Sequence, residues 1–105
     1  MRPLPPPPSR IGKVTRRKYI DGRPMIYTVV DEIVHITKSN PRKALCLHLL
    51  KFEDDGRTEM RFCYYMIGRK PRGRGRWLFG QFAPMIRRAD FEEILARARK
   101  KGWIN

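Results

Sequence analysis

The sequence predicts an α+β fold, a twisted antiparallel β-sheet of four or five strands followed by one C-terminal amphipathic helix. Three observations lead there. Apolar residues recur at period two through 43–52 and 58–67, the spacing that puts alternate side chains on one face of a strand. Turn-forming clusters at Asp21-Gly22, Ser39-Asn40-Pro41 and Asp54-Asp55-Gly56 separate the β-rich runs at hairpin distances. The period then changes in ADFEEILARARKKG, where Phe91, Ile94, Leu95 and Ala98 recur at i, i+3, i+4 and i+7.

Residues 1–13 read as a disordered Pro-rich tail, because prolines fix φ, give up their N–H and favour extended polyproline II. Residues 14–105 read as a single sheet-plus-helix domain. VTRRKYIDGRPMIYTVV forms a hairpin with Asp21-Gly22 as its two-residue turn, and the β-pattern continues through DEIVHITK until SNP interrupts it. In KALCLHLLKF, Leu45, Leu47 and Leu49 share one face; Ala44, Cys46, His48, Leu50 and Phe52 make a mixed opposite face. After EDDGR, strand 58–67 carries Met60, Phe62, Tyr64 and Met66 on one side. Its other side, with Glu59, Arg61, Cys63, Tyr65 and Ile67, reads as a polar, aromatic outer face. RWLFGQF supplies a last short strand. Asp90 and Glu93 have capping-box spacing at the helix start, Lys100 and Lys101 complement its C-terminus, and Gly102 ends it. Trp103 and Ile104 are expected to return to the core or to form a dimer contact.

Composition narrows the function. A chain of 105 residues with 41% hydrophobic content suits one domain with a modest core. Lys and Arg number 24 against 10 acids, a formal charge of +14, which attracts nucleic acid, anionic membrane or an acidic partner. No apolar run approaches the ~20 residues of a membrane span, and the N-terminal prolines leave no signal-peptide core. The expected location is cytoplasmic and nucleoid-associated, with no membrane partner.

Catalytic constellations are missing from the pattern. His35 and His48 lie in strands without a nucleophile pattern and read as satisfied strand histidines. Cys46 and Cys63 read as free buried thiols of a reducing compartment, with a cross-strand disulfide as the alternative. Nothing in the spacing of Asp31, Glu32, Glu53 and Glu59 asks for a metal, and GRGRWLF leads into a strand rather than a phosphate-binding helix. The expectation is therefore no enzyme, no metal and no cofactor.

Binding leaves a clearer mark. Basic residues cluster at Arg16-Arg17-Lys18, at Arg42-Lys43 and in GRKPRGRGR, whose Arg69, Lys70, Arg72, Arg74 and Arg76 abut Tyr64, Tyr65 and Trp77. Cations that follow phosphates beside rings that stack on unpaired bases are how proteins hold single strands. Arg16, Arg17, Lys43, Arg69, Lys70, Arg72, Arg74 and Arg76 are the candidate phosphate contacts, and Tyr65 and Trp77 the stacking rings. The expected activity is non-enzymatic binding of nucleic acid in transcription, replication or repair, foremost single-stranded DNA with low sequence specificity. Pro71-Arg72-Gly73-Arg74 also resembles the core of a minor-groove AT-hook, although Gly75 stands where that motif has proline. Two alternatives share the charge: a basic adaptor docking on an acidic partner such as a polymerase, and an RNA- or ribosome-associated protein.

From about Ile26 to Gly102 the order of segments resembles the positive cofactor 4 family of single-stranded-DNA-binding transcription cofactors, especially its small bacterial members. The resemblance runs through IYTVVDEIVHITK, KALCLHLLKF, the acidic EDDG loop, EMRFCYYMI, a Gly/Lys/Arg-rich loop, a short strand and one capped helix. Tyr64-Tyr65 occupy the place of the aromatic pair that ends the family's third strand, and Gly73 to Arg76 that of its basic approach to the fourth. FAPMIRRAD is longer than the family's lead-in to the helix, and the hairpin before Ile26 has no counterpart. The resemblance implies a homodimer through the C-terminal helices, whose curved sheets offer basic, aromatic surfaces to unpaired DNA. Arg61, Tyr65 and Trp77 would lie on or beside that surface, with loop 68–76 at its rim.

Overall fold

The structure, a computed structural model, describes residues 4–68, 75–80 and 84–105. Strands β1 (Val14–Lys18), β2 (Pro24–Ile36), β3 (Lys43–Phe52), β4 (Thr58–Ile67) and β5 (Trp77–Phe79) precede helix α1 (Arg88–Lys100). The strands form a curled antiparallel sheet in the order β1-β2-β3-β4-β5, so every neighbour in space is a neighbour in sequence. The α+β expectation holds, with five strands.

Each turn follows from its residues, though not always as the pattern suggests. The β1–β2 connection is a three-residue loop, not a two-residue turn. Tyr19 N–H donates to Arg23 O at 2.9 Å, and only Gly22, at φ +88°, takes a left-handed conformation. Asp21 keeps negative φ because its carboxylate is engaged: it accepts from the Arg23 backbone N–H at 3.0 Å and from Arg23 Nε at 2.7 Å. The β3–β4 loop turns at Gly56, φ +74°. Arg57 ties it down, reaching Asp54, Asp55 and Glu59 while lying 4.0 Å over the Phe52 ring.

A β-bulge at Val30 decides which residues meet. Val29 opposes Leu50, but Asp31 already opposes Leu49, so one residue is extra. Tyr27 and Val29 therefore point to one face of the sheet, while Ile33, two alternations on, points to the other. On that second face lies α1, whose Ile94 and Ala98 pack with Ile33, Leu45 and Leu47. Each fully buried Leu or Ile there contributes about 2 kcal/mol. After α1, Gly102 at φ +79° reverses the chain, and Trp103 and Ile104 return to this same core. At the end of β5, Gly80 donates its N–H to Tyr64 O at 2.8 Å; a Cβ at this position would strike the Tyr64 ring.

The helix starts at Arg88, and its N-cap Arg87 makes no side-chain cap bond, so the expected Asp90–Glu93 capping box does not form. Asp90 is drawn elsewhere. Its carboxylate lies 2.7 Å from His35 Nε2, both side chains buried, and it also accepts the Lys38 backbone N–H at 3.5 Å. Glu93 faces Lys38 instead. The Asp90–His35 bond fastens the first turn of α1 to the end of β2. It also holds the Asp90 carboxyl below its ordinary value, against the opposing effect of burial.

A carboxyl depressed in the folded state stabilises the fold above its unfolded value of about 3.9, and the benefit is lost as pH falls through the folded value. Asp90→Asn should lower the melting temperature by more than about 10 °C at neutral pH, the scale of a broken buried pair. The gap between wild type and variant should narrow below about pH 4. Thermal melts of both proteins from neutral pH into the acid range check this.

Candidate nucleic-acid interface

In an up-and-down sheet, alternate turns share an end. The β1–β2 and β3–β4 loops lie at one end and carry Asp21, Glu53, Asp54 and Asp55. The β2–β3 and β4–β5 connections lie at the other, and residues 37–42 and 68–76 hold no acid at all. The second end gathers Lys38, Arg42 and the base of the basic loop. Ile67 N–H donates to Arg42 O at 2.8 Å, and Gly68 N–H to Arg76 O at 2.9 Å. Among the described residues this end gathers Lys38, Arg42 and Arg76, and α1 brings Asp90 and Glu93 to it at Lys38.

The residues singled out from sequence separate into groups. Arg76 and Trp77 stand together at the start of β5, an edge strand. Arg69, Lys70, Arg72 and Arg74, and with them the AT-hook-like core, lie outside the described residues. Arg16 and Arg17 are exposed on β1, the opposite edge of the sheet. Lys43 turns to the helix side: its Nζ donates to Met85 O at 2.8 Å and stands 5.8 Å from the Tyr64 ring centroid.

Arg61 and Tyr65 do not form an outer surface. Register places Arg61 opposite His48, Cys63 opposite Cys46, and Tyr65 opposite Ala44 and Phe79, all on the face away from α1. Cys63, Tyr65 and Ile67 are buried there, Tyr65 at 2% exposure, while Met60 on the other side is 46% exposed. The polar side of β4 is the inward one, because the sheet curls over it and residues 5–10 lie against it. Arg10 donates to the Tyr65 hydroxyl at 3.4 Å, stands 5.1 Å over the Phe79 ring, and sends its backbone N–H to Glu32 Oε2 at 3.2 Å. Trp77 Nε1 donates to Pro5 O at 2.7 Å. The segment read as a disordered tail makes these contacts across the aromatic rim.

The accessible rings of this rim are Trp77, half-buried, and Phe79, 43% exposed, with the Tyr65 ring edge-on beneath Phe79 at 5.3 Å. Phe79 was not singled out from the sequence, although its place two residues after Trp77, on the same face, was a signal that could have found it. Arg10 was not legible, because no local pattern pairs it with residues so distant in sequence.

Beneath the rim, polar groups satisfy one another. Arg61 Nη1 donates to Tyr27 Oη and Nη2 to His48 Nδ1, each at 3.1 Å. His48 Nε2 lies 3.6 Å from Glu32 Oε2. Cys46 and Cys63 are free and buried. A hydrogen bond from Cys46 pulls the Cys63 thiol down to about 5, helped by His48 and Arg61 and opposed by burial. The same bond, with burial, pushes Cys46 up.

No family model, curated protein or solved structure matches this chain. Among the described residues, no helix is long and apolar enough to cross a membrane.

If residues 5–10 cover the rim, deleting residues 1–10 should uncover Trp77. In a Trp103→Phe background, which leaves Trp77 as the only indole, acrylamide should quench the truncated chain more steeply and its emission should shift to the red. Stern–Volmer titration of the two forms measures it; equal slopes would mean that the tail does not shield the rim.

Proposed function

We propose that this chain is a non-enzymatic nucleic-acid-binding domain that prefers single-stranded DNA with little sequence specificity, acting in transcription, replication or repair. The observation that carries the reading is the pair of acid-free connections, 37–42 and 68–76, beside the aromatic edge strand β5. There the backbone of Arg42 adjoins Ile67, which pairs with Trp77, and Arg76 precedes Trp77 on the edge strand that also carries the exposed ring of Phe79. Cations along a strand of phosphates supply affinity without sequence, and rings at their side supply a preference for unpaired bases.

The order of β2 to β5 followed by α1 is also the order on which the resemblance to the positive cofactor 4 family rests. The homodimer that this resemblance implies has a matching patch. Met60, Phe62 and Phe91 adjoin on the helix side, with the two phenyl rings 6.0 Å apart and Phe91 39% exposed. Sedimentation velocity of wild type and Phe91→Glu tests it, a shift from dimer to monomer being the expected result.

The binding test is a fluorescence-anisotropy titration of labelled single-stranded DNA, duplex DNA and single-stranded RNA of equal length, at about 50 and 200 mM salt. The unpaired DNA should bind best, and its advantage should survive the higher salt. Changing Arg72, Arg74 and Arg76 together to alanine should weaken binding to all sequences alike. It should also reduce the salt slope by about 2, at roughly 0.7 per phosphate contact on a single strand. Equal, weak binding to all three that disappears at the higher salt would overturn the reading and point to an acidic protein partner.

A further inference from the structure

Two strands bring three soft donors to one point. Cys46 and His48 alternate along β3 and so share a face, and register sets Cys63 of β4 directly opposite Cys46. The two Sγ atoms and an imidazole nitrogen all lie within 4.8 Å of one another, and all three residues are buried. Thiolate and imidazole are donors that select a thiophilic d10 cation over Mg2+ or Ca2+.

We propose that Cys46, Cys63 and His48 form a binding site for one thiophilic d10 metal ion, Zn2+ or Cu+, clasping β3 to β4 beneath the aromatic rim. The distances suit it. An ion about 2.3 Å from sulfur and about 2.0 Å from nitrogen at a tetrahedral angle spans an S···N edge of about 3.5 Å. Cys63 Sγ lies 3.5 Å from His48 Nδ1. With the metal on Nδ1, the proton of the neutral ring sits on Nε2, 3.6 Å from the Glu32 carboxylate. A carboxylate behind a ligating histidine is the arrangement that orients such rings and raises their basicity. Binding releases any thiol proton still held, leaving two thiolates and a neutral imidazole on the ion.

One group occupies the ion's approach. Arg61 Nη2 donates to the same Nδ1 at 3.1 Å, so the guanidinium serves as the resident cation. Its hold is incomplete, for Arg61 Nε is buried without a hydrogen-bond partner. Metal entry requires Arg61 to swing off His48, and removing this side chain should tighten binding.

The test is titration of the reduced full-length chain with Co2+, followed by Zn2+ displacement, and separately with Cu+ against a chromophoric chelator. Expected is one Co2+ per chain, with sulfur-to-cobalt charge-transfer bands and the d–d bands of a tetrahedral ion, or, in the other arm, one Cu+ taken from the chelator. Binding should vanish in Cys63→Ser and His48→Ala, and tighten by about tenfold or more in Arg61→Leu, the scale on which flanking groups act. The wild-type bands report thiolate ligation by themselves, so the outcome stands even if a cysteine variant fails to fold. Folded, reduced wild type that gives no charge-transfer band and takes no Cu+ would overturn the proposal. So would binding that persists in folded Cys63→Ser.

Discussion

Strand β3 is buried on both of its faces, and the remainder of the molecule is arranged to meet that requirement. From Ala44 to His48 every residue is buried, with leucines on one side and Ala44, Cys46 and His48 on the other. An antiparallel sheet commonly leaves one face to water. Here α1 covers the leucine side, fixed at its first turn by the Asp90–His35 bond and at its end by Trp103 and Ile104. The other side has no helix among the described residues. It is closed by the curl of the sheet, to which the Val30 bulge contributes, and by Arg10 with the segment before it. Both covers are needed because the buried backbone and side-chain polar groups of a central strand have no access to water.

The strands were legible because two kinds of signal agreed on them. Alternation and turn residues both delimit 43–52 and 58–67, and these are the bounds of β3 and β4. Where only one signal was present, the reading went astray. Asp90 and Glu93 have the spacing of a capping box, but Asp90 has a better partner in His35, far away in sequence and invisible to a local motif. Asp21-Gly22 has the composition of a two-residue turn, yet the Asp21–Arg23 bonds hold Asp21 at negative φ and lengthen the loop.

The same physics explains the inverted faces of β4. Arg61, Glu32 and His48 are polar, and polarity in a strand reads as exposure to solvent. In the fold they lie next to each other and to Tyr27, so their hydrogen bonds are made internally. Whether a polar side chain faces water or a partner depends on strand register, which a single sequence specifies only weakly. The net charge, by contrast, is additive and survives any register. Its total was legible, and its distribution between the two ends of the sheet was not.

That distribution is set by ion pairs, and at the end of β2 Lys38 is paired with Glu93 of α1. Arg57 is committed to three carboxylates, Arg23 to Asp21 and Lys101 to Asp31, and Arg61 is engaged inside the fold. The acids that engage these surface cations lie at the β1–β2 and β3–β4 end or on the β2 side of the helix, away from loop 68–76. A uniform scatter of the same residues would leave a diffuse positive field, which attracts nucleic acid but does not place it. In the sequence, the connections at the β2–β3 and β4–β5 end carry no acid, and that end adjoins the aromatic edge strand β5. On the proposed reading, a polyanion drawn to that end would meet rings there as well as charge, which is the difference between attraction and a site. Arg10 already occupies this edge in cis, lying over Phe79 as a cation lies over a ring. On the proposed reading, a strand of DNA that takes up the same ring face would first have to displace it.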